Sequence, residues 1–122
     1  MDTEIILLGH GSRRREANQA LIEVAQKVEF LLGRTVVPAF MGHANPSFPE
    51  ALREQALKGV TRIIVMPLFL FDGMHVTHDI HEQAEEIRHQ FPQLKIIFSR
   101  ALGADDLIAS LASARIKEAL EA

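Results

Sequence analysis

The segment Ile63-Ile64-Val65-Met66-Pro67-Leu68-Phe69-Leu70-Phe71-Asp72-Gly73-Met74-His75-Val76-Thr77-His78-Asp79-Ile80-His81 decides the fold. It opens on a β-rich apolar run that hardly alternates, turns near Gly73, and then carries apolar residues at helical spacing: Ile80, Ala84, Ile87 and Phe91, stopped by Pro92. A strand with one wet face would alternate apolar and polar side chains. A nearly continuous run is buried on both faces, which is the mark of a parallel strand followed by its crossover helix.

The same unit recurs outward in both directions. Upstream, Ile5-Ile6-Leu7-Leu8 precedes a helical stripe of Ala17, Leu21, Val24, Val28 and Leu31 that stops near Gly33. Thr35-Val36-Val37 then precedes a helix through Leu52, Ala56 and Val60. Its start at Ser47-Phe48-Pro49-Glu50 has a serine cap, an early proline and a glutamate three residues after the cap. Downstream, Lys95-Ile96-Ile97-Phe98 precedes a helix opening at Asp105-Asp106 and marked by Leu107, Leu111 and Leu120. Strand-helix order repeated in this way predicts right-handed crossovers and an α/β fold: a four-stranded parallel sheet with helices on both faces, flavodoxin-like, as a single domain over 1–122. Ligands of such sheets bind beyond the carboxyl ends of the strands. The loops after Leu8, Phe40, Met66 and Phe98 are therefore where function is expected.

Composition narrows the function further. A chain of 122 residues, 48% hydrophobic and 24% charged, has material for one core. A deep cleft between two lobes is hard to build from one copy. With no Cys, a metal would have to be held by histidine and carboxylate. The apolar runs fall short of the ~20 residues that cross a bilayer, and Asp2 and Glu4 stand where a secretion signal carries positive charge, so a cytoplasmic protein without a membrane partner is expected. A formal net charge of −3 with neither Trp nor Tyr lacks the basic, aromatic footprint of a nucleic-acid binder. The six histidines become the informative residues.

Three of them fall in the rim loops. His10 stands in Gly9-His10-Gly11-Ser12-Arg13-Arg14-Arg15, where two glycines let the backbone turn sharply and approach a ligand. Neither G-x-G-x-x-G nor G-x-x-x-x-G-K-[ST] is present, so no nucleotide is expected. His75 follows Gly73, and a helix beginning there puts Asp79 four residues on along the same face, where a carboxylate can orient an imidazole. His78 and His81 read equally as solvated or capping residues. His43, in Phe40-Met41-Gly42-His43-Ala44-Asn45-Pro46, is either a third ligand or a pocket-lining residue. His89, beside Arg88 late in its helix, reads as a helix-end cation. Leu68-Phe69-Leu70-Phe71 is too apolar for an open loop, and reads as core, as the wall of a flat apolar ligand, or as both in different residues.

Taken together, Gly9-His10-Gly11-Ser12-Arg13, Asn45-Pro46-Ser47 and Pro67-Leu68-Phe69-Leu70-Phe71-Asp72-Gly73-Met74-His75 with Asp79-Ile80 resemble the class II tetrapyrrole chelatases, and within them the small CbiX-type sirohydrochlorin chelatases. The likeness runs in order through nearly the whole chain. It implies ATP-independent insertion of a divalent metal into sirohydrochlorin, Co²⁺ first, with Ni²⁺ and Fe²⁺ as alternatives, in cobalamin-type or related tetrapyrrole biosynthesis. It carries the metal-binding and proton-accepting roles onto His10 and His75; position in the rim loops, not the resemblance, adds His43 as a candidate further metal ligand and Asp79 as the candidate carboxylate behind His75. Substrate contacts are expected from Ser12, Arg13, Leu70, Phe71 and Gly73, and a homodimer whose facing sites make one cavity. In two places the chain departs from the pattern. Gly42-His43 stands where many relatives have a Glu, and His81 where they have a Pro after Asp-Ile, which leaves the metal preference open.

The chemistry suits these residues. Insertion needs neutral nitrogen ligands that hold a metal ion moderately and a base for the two inner N–H protons of the macrocycle, and imidazole serves both. The substrate's carboxylates suit a guanidinium, for which Arg13 stands closest to the His10 turn. A non-catalytic metal or tetrapyrrole carrier would use the same histidines. A metal-dependent hydrolase would want a more carboxylate-rich site.

Overall fold

The computed structural model describes residues 2–71 and 73–122; Asp72, part of the motif quoted above, lies outside them. Eight elements follow one another in strict alternation: β1 (Thr3–Gly9), α1 (Arg15–Leu32), β2 (Val36–Phe40), α2 (Phe48–Leu57), β3 (Arg62–Pro67), α3 (Met74–Gln90), β4 (Lys95–Phe98) and α4 (Asp106–Leu120). The strands form one parallel sheet in the order β2-β1-β3-β4. The chain steps from β1 to one side, then returns past β1 to the other, so the strand order reverses beside β1. That is where α/β sheets bind ligands.

Sequence chemistry explains the local structure. Ser47 caps α2 by accepting from the Glu50 N–H at 3.2 Å, and the Glu50 side chain accepts from the Ser47 N–H at 2.9 Å, closing the expected capping box. Hydrogen bonding to the Glu50 carboxyl from the Ser47 backbone N–H, and after it from the Ser47 side chain, holds that carboxyl below its usual range. Gly33 ends α1 in the left-handed conformation at φ 67°, and Asp105 caps α4 by accepting from the Leu107 N–H at 2.9 Å.

The core has two parts, one on each face of the sheet. On the α2/α3 face, Ile6, Leu8, Ile63, Val65 and Ile96 pack against Phe48, Leu52, Ile80 and Ile87. On the opposite face, Leu7, Val36 and Phe40 pack against Leu21 and Ala25 of α1.

Three sequence expectations need correction. Leu31 is not part of the buried stripe of α1; it is 81% exposed, because the helix rests on the sheet earlier, through Leu21 and Ala25. Ala17 is exposed too. Nor is every strand buried on both faces. Ile97 of β4 is 43% exposed, since α1 covers β1 and β2 only. Finally, Leu107, Leu111 and Leu120 do not face the sheet of their own chain: no residue of α4 is buried.

Candidate active site at the carboxyl edge of the sheet

β1 and β3 are hydrogen-bonded neighbours, so the loops leaving them open side by side at one edge of the sheet. His10 is the first residue past β1, and His75 is the second residue of α3, just after the segment that leaves β3. Both are exposed. The topology thus brings the two principal sequence candidates to the same rim.

The His10 turn is held from three sides. The chain beyond β2 continues the sheet pairing: the Met41 N–H donates to the Gly9 carbonyl at 2.9 Å and the Gly42 N–H to the His10 carbonyl at 3.1 Å. On the β3 side, the Leu68 N–H donates to the Leu8 carbonyl at 2.8 Å. From α1, the Asn18 side chain closes a two-way clasp on Ser12, accepting from its N–H at 2.9 Å and donating to its carbonyl at 2.8 Å. Gly11 sits at φ +83°, and a Cβ there would lie 1.7 Å from the Gly42 carbonyl oxygen. Its glycine is therefore required by the sharp turn the sequence suggested and by the close approach of another loop's backbone. Sequence reasoning passed over Asn18, since a polar residue early in a helix looks merely solvated.

The His10 ring packs on Phe69 with centroids 4.1 Å apart, which fixes the imidazole against the sheet edge while leaving it open to solvent. Beside it lies a cavity of about 380 Å³, walled by His10, Ser12, Asn18, Leu21, Phe40 and Leu68. This is within the range of small-molecule sites. The Ser12 hydroxyl accepts from the Arg14 N–H at 3.0 Å, and its own proton remains to donate to a ligand.

The apolar run after β3 divides as one of its readings allowed. Phe69 is core, 5% exposed, whereas Leu70 and Phe71 are 49% and 71% exposed. These two line a second depression of about 540 Å³ together with Arg100, Leu102, Gly103 and Asp105. Arg100 was missed because the loop after β4 was marked as rim but no residue in it singled out. It places a cation beside an apolar wall, the pairing that suits a flat ligand with acidic side chains.

The remaining candidates fall as follows. Arg13 and Arg15 are exposed, and Arg14 pairs with Glu16 at 3.6 Å. Gly73 stands immediately before α3 at φ −93°, and a Cβ there would meet nothing within 4 Å. His43 is exposed at φ 63°, an unusual conformation for a non-glycine residue, but it does not line the His10 cavity. Among the described residues no hydrogen bond or ion pair joins His75 to Asp79. The histidine of that helix that does meet a carboxylate is His78, whose Nε2 lies 3.2 Å from Glu82 Oε2. His81 stacks on Phe98, with centroids 4.3 Å apart. Among the described residues no group of three His, Cys, Asp or Glu side chains is placed to hold a metal ion. One chain offers single exposed imidazoles at a rim, which suits brief binding and transfer of a metal ion.

Comparison with known proteins agrees with this fold. A family model described as CbiX matches residues 4–119. The chain is 33% identical over 131 residues to the sirohydrochlorin cobaltochelatase of Methanothermobacter thermautotrophicus, an alignment covering 95% of this chain and 92% of the relative. It is also 33% identical over 117 residues to the chloroplastic sirohydrochlorin ferrochelatase of Arabidopsis thaliana, covering 95% of this chain and 52% of the relative. The chain thus spans nearly all of one relative and about half of the other. The crystal structure of a protein described as a CbiX protein of cobalamin (vitamin B12) biosynthesis, from Marinobacter aquaeolei, superposes with a TM-score of 0.81 at 25% identity, covering 98% of each chain.

Proposed function

The chain belongs to the CbiX family, and on that footing we propose that it inserts a divalent metal ion into sirohydrochlorin, with His10 and His75 binding the incoming ion and accepting the macrocycle's inner protons. The observation that carries this reading is the rim itself. Two exposed histidines, one directly beyond β1 and one in the first turn of the helix that follows its neighbour β3, stand at the carboxyl edge of the sheet, and the first is braced on Phe69 beside a cavity. Neutral imidazole offers a lone pair to the ion, and once the ion has left it can take up a proton from the pyrrole nitrogens. Leu70 and Phe71 give the macrocycle an apolar wall, while Arg13, Arg100 and the Ser12 hydroxyl meet its carboxylates. Two copies facing each other rim to rim would enclose the substrate, which one chain leaves open.

Cobalt is the metal we assign first. It is supported by the cobaltochelatase that this chain matches over 92% of its length, whereas the matched ferrochelatase is covered over 52%. The test is to incubate the purified protein with sirohydrochlorin and, separately, Co²⁺, Ni²⁺ or Fe²⁺, and to follow the macrocycle's absorption against a control without protein. Acceleration with many products formed per site supports an enzyme. One product per site would point to a carrier, and no acceleration with any ion would remove the proposal.

A further inference from the structure

The cavity beside His10 has the wrong chemistry for most of the rim of sirohydrochlorin. That rim carries carboxylate arms, and a carboxylate taken out of water needs a cation or several hydrogen-bond donors. Among the described residues no Lys or Arg lines this cavity of about 380 Å³. Of its polar side chains, Asn18 is engaged on the Ser12 backbone by both ends of its amide, which leaves His10 and the Ser12 hydroxyl. The rest is apolar. Phe40 and Leu21 are 1% and 8% exposed, Val24 and Leu68 are half-buried, and Ala20 lies open. Leu21 packs so closely on the end of β1 that a Cβ at Gly9 would stand 2.9 Å from its Cδ2. A hollow lined in this way takes an apolar group. The second depression differs, because it sets Arg100 beside Leu70 and Phe71. The two hollows suit different edges of one flat ligand.

Sirohydrochlorin has two such edges. Its two reduced pyrrole rings are neighbours, and each carries a methyl group on a saturated carbon that also bears an acetate arm. The other rings carry acid arms alone. We propose that the methyl-bearing edge enters the cavity between α1 and the end of the sheet while the wholly acidic edge lies toward Arg100, so that the apolar lining selects the methylated macrocycle over uroporphyrin, which has the acid arms and no methyl groups. On a saturated carbon the methyl and the acetate point to opposite faces of the ring. One can enter the cavity while the other stays in water, and the Ser12 hydroxyl remains to meet that arm.

His10 ties the two halves of the picture together. It lines the cavity, and in the proposed function it meets the metal ion, so a macrocycle centred on that ion brings part of its rim over the cavity. The inference rests on that function. It adds which way round the substrate sits and which group the site recognises. A single methyl group in a hydrophobic pocket discriminates by about tenfold or more.

The test compares equilibrium binding of metal-free sirohydrochlorin and uroporphyrin, each followed by the macrocycle's own fluorescence, to the parent protein, Ala20→Leu and Val24→Thr, all with native circular dichroism confirmed. Ala20→Leu fills the cavity from an exposed position, and Val24→Thr puts a hydroxyl into its lining at nearly constant size. The parent protein is expected to hold sirohydrochlorin about tenfold or more tighter than uroporphyrin. Both variants should weaken sirohydrochlorin by about tenfold and change uroporphyrin by less than about twofold. Equal losses for both macrocycles, or no loss for sirohydrochlorin, would overturn the assignment. The parent protein's Co²⁺ insertion rate, measured alongside, keeps the two claims apart. The expected binding pattern without insertion would remove the enzyme and keep the role of the cavity, whereas insertion without the pattern would remove that role alone. Binding of neither macrocycle would remove both.

Discussion

Replacing Gly11 by alanine tests whether the His10 turn is built as described. The added methyl would lie 1.7 Å from the Gly42 carbonyl oxygen and 2.8 Å from its carbon, both backbone atoms that cannot swing aside. To restore a contact of 3.4 Å, the two loops must part by roughly 1.7 Å. Parting breaks the Met41-to-Gly9 and Gly42-to-His10 hydrogen bonds, each worth about 0.5–1.5 kcal/mol. Holding alanine at φ +83° adds about 1–2 kcal/mol. The expected loss is about 2–5 kcal/mol in denaturant unfolding. A His10 displaced by more than an ångström would also lower the metal-insertion rate by about 100-fold or more. Gly42→Ala is the internal control, because a Cβ on the other side of the same contact meets nothing within 4 Å. It should change stability by less than about 0.5 kcal/mol. Gly11→Ala with the stability and rate of the parent protein would refute the reasoning.

Further expectations concern the supports of the site and of the fold. Asn18→Ala removes both bonds of the Ser12 clasp and should cost about 1–3 kcal/mol. It should raise KM for sirohydrochlorin, and an unchanged KM with full stability would dismiss the clasp. Glu50→Gln should flatten one part of the pH dependence of stability. The folded carboxyl is held below its usual range by Ser47, so its contribution is complete above the unfolded pKa and fades as pH falls through the folded one. Urea midpoints from neutral to acid pH in the two proteins check this, and curves that stay parallel would contradict it. His78→Ala should leave insertion intact and stability within about 0.5 kcal/mol, since its partner Glu82 is an exposed neighbour one helical turn away. A large loss of rate would move His78 into the site.

Much of the fold was legible because each strand is a short, nearly continuous apolar run and each helix has a chemical start or stop. Ser47 and Glu50 announce α2, and Gly33 ends α1. The rim histidines followed from the topology. What sequence could not convey was which surface covers which. Leu107 and Leu111 signal that α4 must be covered, but periodicity does not say by what. Leu31 fits the helical stripe of α1 and still projects into solvent, because strand length decides how far the helix rests on the sheet. The need for glycine at 11 was visible, but its cause, the Gly42 carbonyl, belongs to a loop 31 residues away in sequence. Asn18 and Arg100 are ordinary polar residues whose roles come from what the fold places beside them.

The central claim is that the rim imidazoles carry the metal into the macrocycle. Initial rates of Co²⁺ insertion into sirohydrochlorin by the parent protein, His10→Ala and His75→Ala, each with its native circular dichroism confirmed, test it most directly. The account predicts that each substitution lowers the rate to that of the reaction without protein. Full insertion rates in both variants would contradict it.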